Sequence, residues 1–226
     1  MIYHIPEVLK PQEAAALLQK LEKGRWIDGK KTAGVSASPI KTNQELAQDD
    51  PIFQEANQQI LKALSQSKGF ASRSLPLMTS TPGFNRYEKG QFYGLHYDNA
   101  LGTTTGRSGL MRGDLSATLF LSEPSDYEGG ELSIEDTYGF HHVKLPAGHL
   151  VIYSGGSLHQ VKPVTQGARV ACFFWIQSLV QDEQERSILT DLDGALQQIT
   201  KEDPLHPSVA LMTRAYNHLL RKWSQV

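Results

Sequence analysis

Hydrophobic and polar positions along this chain follow three successive rhythms, and the changes of rhythm divide it. Apolar residues first recur at helical spacing. Pro11 suits a first helical position, where its missing N–H costs nothing; Leu17, Leu18 and Leu21 then share one face, and Gly24 can end the helix. A second amphipathic run follows the N-cap signal Asp49-Asp50-Pro51. It carries Ile52, Phe53, Ala56, Ile60 and Leu64, with Gly69 as the expected stop. Ile2–Ile5 reads as a short strand, and residues 26–39, with Asp28-Gly29 and Gly34, as a turn and a loop.

From Phe70 to Ser178 the period shortens. Runs rich in Val, Ile, Thr, Phe and Tyr alternate with Gly, Pro and Asp clusters, which predicts strands near 75–80, 84–88, 94–97, 115–121, 131–134, 140–145, 149–153, 158–161 and 169–177. So many short strands favour a sandwich or jelly roll. Pro146-Ala147-Gly148 and Thr165-Gln166-Gly167 read as tight connections, and Glu128-Gly129-Gly130-Glu131 as a turn. Residues 99–113, rich in Gly, Thr and Arg, read as a long loop of the kind that covers a binding site. Beyond Ser178 helical spacing returns. Asp182 can cap a run with Ile188, Leu192, Leu196 and Ile199; Pro204 and Pro207 interrupt it. A last helix then carries Val209, Met212, Tyr216, Leu219 and Trp223 in one stripe. That stripe is a packing face, against the strands or a second subunit, so self-association through the C-terminal helices is permitted. The expected architecture is mainly β with flanking helices, an α+β arrangement. An N-terminal segment (1–77) packs on a jelly-roll core (78–178), followed by a small C-terminal helical domain (182–226).

Composition narrows the function classes. At 226 residues, 39% hydrophobic and 20% charged, the chain is an ordinary folded protein. A net charge of −2 leaves no electrostatic footprint for nucleic acid or an anionic membrane. There is no membrane-length apolar run and no basic segment leading into one at the N-terminus. The single cysteine, Cys172, sits in an apolar run as a buried hydrophobe and rules out an intrachain disulfide. The expectation is a cytoplasmic protein.

The candidate chemistry centres on Gly94-Leu95-His96-Tyr97-Asp98-Asn99. Residues two apart on a strand leave from the same face, so His96 and Asp98 can point at one ion. His159, at the start of a later strand, is the candidate third ligand. Two His and one carboxylate leave open positions and suit non-haem ferrous iron, which can bind a chelating 2-oxo acid and O₂. Arg169 lies in Ala168-Arg169-Val170-Ala171-Cys172-Phe173-Phe174-Trp175, where a buried guanidinium needs an anion. The far carboxylate of 2-oxoglutarate fits it bidentately; a salt bridge to Asp or Glu is the competing account.

These residues fall in an ordered series of motifs: Asn85-x-Tyr87-x-x-Gly90-x-x-Tyr93-x-x-His96-x-Asp98, then Glu128-Gly129-Gly130-Glu131-Leu132, Pro146-Ala147-Gly148, and His159-x-Val161-x-Pro163-Val164-Thr165-x-Gly167-x-Arg169. The series resembles the ferrous iron and 2-oxoglutarate-dependent oxygenases, and within them the bacterial PKHD-type hydroxylases. The helical tail resembles that family's C-terminal domain. The resemblance implies iron at His96, Asp98 and His159, 2-oxoglutarate at Arg169, a double-stranded β-helix core, O₂ as oxidant and L-ascorbate as reductant. The implied reaction couples oxidative decarboxylation of 2-oxoglutarate, to succinate and CO₂, with hydroxylation of a peptidyl side chain or a small metabolite.

Tyr87 can add a hydroxyl to the 2-oxoglutarate subsite or merely pack. Arg107 and Arg112 in the long loop are candidate substrate contacts, with solvation as the alternative. His141, His142 and His149 read as surface residues rather than ligands. Two rival readings use the same residues. A zinc hydrolase would activate water on the same three ligands, but it needs a carboxylate base and leaves Arg169 unexplained. A non-enzymatic jelly-roll sensor would bind iron or a small acid without turnover.

Overall fold

The computed structural model describes residues 1–32, 38–103 and 110–225. The N-terminal part comprises β1 (Ile2–Ile5), α1 (Pro11–Leu21), β2 (Trp26–Asp28), β3 (Gln44–Leu46), α2 (Pro51–Gln66) and α3 (Lys68–Ser74). The middle holds β4 (Pro76–Thr79), β5 (Gly83–Glu88), β6 (Tyr93–His96), β7 (Leu101–Thr103), β8 (Leu110–Arg112) and β9 (Leu115–Phe120). It continues through β10 (Tyr127–Gly129), β11 (Leu132–Asp136), β12 (Gly139–Val143), β13 (Leu150–Ser154), β14 (His159–Val161) and β15 (Val164–Ser178). Two helices close the chain, α4 (Glu183–Glu202) and α5 (Pro207–Trp223).

The strands form a major sheet in the order β1-β13-β9-β15-β5-β3-β2, with β4 and β10 pairing on β15, and a minor sheet in the order β12-β11-β14-β6. Pairing in both is antiparallel, the mainly-β jelly-roll arrangement expected. The side-chain alternation of the major sheet explains the layering. One face carries Phe84, Leu115, Ala117, Leu119, Leu150, Ile152, Val170, Cys172, Phe174 and Ile176. These pack with Leu17 and Leu21 of α1, Phe53, Ile60 and Leu64 of α2 and Phe70 of α3 in the principal core. The other face carries Tyr87, Phe120, Val151 and Tyr153, which meet Leu132, Ile134 and Val161 of the minor sheet. The cavity opens on this inner face.

Most predicted elements are present, and the departures have identifiable causes. Gly69 does not stop a helix. α2 ends at Ser67, whose hydroxyl accepts from the Phe70 N–H and caps α3, with Gly69 inside it. Thr165-Gln166-Gly167 is no turn but the start of β15, paired with β10. Gly167 allows this because its φ is 71° and a Cβ there would fall 2.0 Å from the Asp126 carbonyl oxygen. Glu128 and Gly129, read as a turn, form that partner strand. Residues 26–28, read as turn and loop, add an edge strand beyond β3. The long loop at 99–113 is partly a β-ribbon of β7 and β8.

The C-terminal stripe packs inside the chain. Tyr216, Leu219, Leu220 and Trp223 meet Leu75, Val180 and Leu189. Asp182 caps α4 as expected, accepting from the N–H groups of Gln184 and Glu185. Among the described residues, no helix is long and apolar enough to cross a membrane.

Candidate metal centre

β6 and β14 are neighbours in the minor sheet, in a register that sets His96 directly opposite His159. Directly opposed side chains on one face lie about 5 Å apart at Cβ, so the pairing itself brings the two imidazoles together. Asp98 follows two residues after His96 and joins them. Ligand atoms of the three residues all fall within 4.8 Å of one another, and they are the His/Cys/Asp/Glu group of that kind among the described residues. His96 Nε2 lies 3.9 Å from Asp98 Oδ1, and His159 Nε2 lies 3.7 Å from Asp98 Oδ2.

Each candidate ligand is oriented by a second contact. His96 Nδ1 engages the Gly94 carbonyl at 2.8 Å and His159 Nδ1 the Ser157 carbonyl at 3.0 Å. Both rings therefore present Nε2 to the shared point, the arrangement in which backbone acceptors fix the tautomer of a metal ligand. Ser116 Oγ, from β9 of the opposite sheet, donates to Asp98 Oδ2 at 2.6 Å. Tyr93 stacks on His96 with ring centroids 3.6 Å apart, and Tyr153 meets His159 edge-on. Burial, then the nearby His159, push the His96 pKa down to about 4, so its ring is neutral and available as a donor at neutral pH.

The same cavity, about 430 Å³, reaches Arg169 on β15 and Tyr87 opposite it on β5. Arg169 is 1% exposed. Its guanidinium meets the Asn85 side-chain oxygen at a marginal 3.5 Å and lies over the Tyr87 and Phe120 rings, 5.5 and 5.2 Å from their centroids. No carboxylate pairs with it among the described residues, and its Nε has no hydrogen-bond partner there. The salt-bridge account of Arg169 therefore fails, and a buried cation facing a cavity remains. Burial raises the pKa of Tyr87 and Tyr153, keeping both hydroxyls protonated as donors.

Residues 82–177 match the 2OG-Fe(II) oxygenase superfamily, and residues 182–225 match the PKHD-type hydroxylase C-terminal domain. A PKHD-type hydroxylase of Parvibaculum lavamentivorans is 48% identical over 224 residues, covering 99% of both chains. Another, from Bordetella pertussis, is 46% identical over 226 residues and covers all of both. The chain belongs to the PKHD-type hydroxylase family. It is an Fe(II)/2-oxoglutarate-dependent dioxygenase, coupling decarboxylation of 2-oxoglutarate to hydroxylation. Solved structures share this hydroxylase's fold. The Pseudomonas putida prolyl-4-hydroxylase superposes with a TM-score of 0.53 at 22% identity, over 78% of this chain and 92% of that one. Streptomyces hygroscopicus HygX, with nickel and 2-oxoglutarate bound, superposes with a TM-score of 0.52 at 16% identity, over 78% and 82%.

Several polar residues that line the cavity escaped sequence reasoning. Ser116 lies in a strand buried along its whole length, where a lone serine carries no signal. Lys41, Asn43 and Glu45 are each under 10% exposed and line the cavity from the β3 side. The alternation Lys41-x-Asn43-x-Glu45 was visible, but nothing local assigns its direction. Glu45 is a carboxylate near the metal centre, of the kind the zinc-hydrolase reading needed; it is paired with Lys41 at 2.5 Å. Of the other candidates, Arg112 does not face the cavity or solvent alone. It binds both carboxylate oxygens of Asp114, at 2.6 and 3.0 Å. Arg107 lies outside the described residues. His141 pairs with Asp136, His142 with Ser133, and His149 with His4; none approaches the triad.

Proposed function

We propose that His96, Asp98 and His159 hold the ferrous ion, and that Arg169, with Tyr87 beside it, holds the distal carboxylate of 2-oxoglutarate. The observation that carries this reading is the Arg169 guanidinium: it is buried, without a carboxylate partner among the described residues, and on the wall of the cavity that contains the triad. The donor set fits the metal. Two imidazoles and one carboxylate, oriented from behind by Gly94, Ser157 and Ser116, suit an octahedral ion with open positions. When bound, ferrous iron supplies the activation of O₂ that decarboxylation of the 2-oxo acid drives. The chain's own residues do the rest. Arg169 and the Tyr87 hydroxyl orient the dicarboxylate, the apolar inner wall of Phe120, Leu132 and Val161 keeps water out, and Ser116 keeps Asp98 turned toward the ion.

Ascorbate is the proposed reductant. The hydroxylated substrate is a peptidyl side chain or a small metabolite. Residues 78–178 are assigned to the chemistry, residues 1–77 to one wall of the cavity, and residues 182–226 to a helical appendage whose outer face is open to self-association. The cytoplasm is the proposed compartment, consistent with a lone buried cysteine. Anaerobic addition of ferrous iron and 2-oxoglutarate is expected to produce a weak visible charge-transfer band, absent in Arg169→Ala and His159→Ala. A wild-type protein that binds both without the band, or an Arg169→Ala variant that keeps it with unchanged 2-oxoglutarate affinity, overturns the assignment.

A further inference from the structure

The chain leaves the metal centre after Asp98 and returns to it at Ser116, whose hydroxyl holds the Asp98 carboxylate. The return runs through Gly113 and Asp114, and both are fixed at the backbone. The Gly113 N–H donates to the Ala100 carbonyl at 2.9 Å, closing the excursion at its base, and the Asp114 N–H donates to the Ile176 carbonyl of β15 at 3.1 Å. The Asp114 carbonyl accepts from the Gly155 N–H at 2.9 Å. Gly155 comes so close that a Cβ on it would lie 2.2 Å from the Gly113 carbonyl oxygen. It belongs to the turn closed by the Ser157 N–H on the Ser154 carbonyl, and the Ser157 carbonyl stands behind His159. One short stretch therefore bears on the supports of two of the three candidate ligands.

The Asp114 side chain is what anchors that stretch. It is only 5% exposed, and its oxygens accept from Arg112 Nε at 2.6 Å, Arg112 Nη2 at 3.0 Å and the Ser178 N–H at 2.9 Å. A buried carboxylate held by a bidentate guanidinium has little freedom to turn. Arg112 is held in its turn, its N–H donating to the Gln177 side-chain oxygen at 3.1 Å. Asp114 thus ties the end of β8 to the end of β15. Neither Asp114 nor Arg112 lines the cavity, so the tie serves the frame rather than a ligand. It sits where the two sheets join: the 154–157 turn links β13 of the major sheet to β14 of the minor one, and Ser116 reaches from the major sheet to a carboxylate that follows β6 of the minor sheet. The Ser116 contact lasts only while the sheets keep their spacing at this end. We infer that Asp114 is a positioning residue for the metal centre: clamped by Arg112 and Ser178, it sets that spacing, and so holds Ser116 to Asp98 and the Ser157 carbonyl to His159. The inference rests on the metal assignment above.

The test uses the full metal-free chain, with Mn²⁺ as the probe, titrated anaerobically by calorimetry. Asp114→Asn keeps the size of the side chain and removes its charge; Arg112→Gln removes the bidentate partner. Each is expected to weaken Mn²⁺ binding roughly three- to tenfold, less than the loss expected for a group that touches a ligand directly. If one variant does not fold, the other decides. In a Ser116→Ala background the same substitution should cost less than in the wild type, because one of its two routes to the triad is already cut. Leu17→Val, which loosens the principal core on the far side of the major sheet, lowers stability and should leave Mn²⁺ affinity unchanged. A loss smaller than about threefold in a folded variant overturns the inference. So does an equal or greater loss in the Ser116→Ala background, or a Leu17→Val variant that loses as much affinity, since affinity would then merely follow stability. A wild-type chain that does not bind Mn²⁺, or a His159→Ala variant that binds it as the wild type does, instead overturns the metal assignment.

Discussion

Removing the Ser116 hydroxyl should cost metal affinity without touching a ligand. In the folded chain Ser116 Oγ donates to Asp98 Oδ2 at 2.6 Å across the gap between the two sheets, and no other hydrogen bond to that carboxylate is present among the described residues. A hydrogen bond to a charged group contributes about 1.5–3 kcal/mol, and part of it persists here because Ser116 is 2% exposed and water cannot take its place. Ser116→Ala frees Asp98 to rotate away from the point it shares with His96 and His159. The expected loss is roughly ten- to hundredfold in affinity, the range found when partners behind metal ligands are removed. Anaerobic titration with Mn²⁺ by calorimetry measures it directly, without depending on turnover. Ser116→Thr, which keeps a hydroxyl on the same atom, should recover most of the affinity. A Ser116→Ala variant that folds normally and binds Mn²⁺ within twofold of wild type refutes the argument. So does a Ser116→Thr variant that folds but shows the same loss as alanine.

Two further outcomes follow from particular side chains. Burial holds the His96 imidazole neutral, its pKa lowered from 6.5 to about 4 in the fold, so the unfolded chain binds the proton first as pH falls. The metal-free protein should thus keep this contribution above pH 6.5 and lose stability as pH falls from 6.5 toward 4. Denaturant midpoints across that range, compared with those of His96→Gln, check it; parallel curves would refute it. Asp182→Ala removes the cap that accepts two N–H groups at the start of α4, at 2.8 and 2.9 Å. A loss of about 1 kcal/mol in thermal or chemical unfolding is expected, and no change in midpoint would show that the cap is dispensable.

How much of this was legible in sequence depends on how local each signal is. His96-x-Asp98 was readable because period-two alternation along one strand settles which side chains share a face. Arg169 was readable because a guanidinium in an apolar run demands an explanation wherever the strand lies. That no carboxylate among the described residues is its partner could not be read, since every Asp and Glu was a candidate. Ser116 and the Lys41, Asn43 and Glu45 wall were illegible for another reason. Their roles arise from pairing between distant segments: β3 against β5, and β9 facing β6 across the cavity. Local turn chemistry misled at Gly167, where a positive φ sits inside a strand because the chain passes close to the Asp126 carbonyl. At Gly69, Ser67 ends one helix and starts the next, so the glycine was never a terminus.

The alternation of the major sheet also explains why so many polar groups can be buried around one cavity. The outward face of β5, β9, β13 and β15 packs under α1, α2 and α3, and that layer holds the larger apolar cluster. Hydrophobic stabilisation scales with buried apolar area, so most of it accrues on this side. The inward face can then carry Arg169, Asn85, Ser116 and Thr118 among its aromatics without being the main source of stability. Moving one residue along any of these strands exchanges the two environments. The core residues Val170 and Cys172 are interleaved with the cavity-side Arg169, so a slip of one position in β15 would bury the guanidinium under the helices and turn apolar groups toward the metal centre. Six register pairs of β15 with β5 and six with β9, together covering every residue from Ala168 to Ile176, hold against such a slip. The long central strand is therefore what ties the stability of the fold to the placement of its charged cavity.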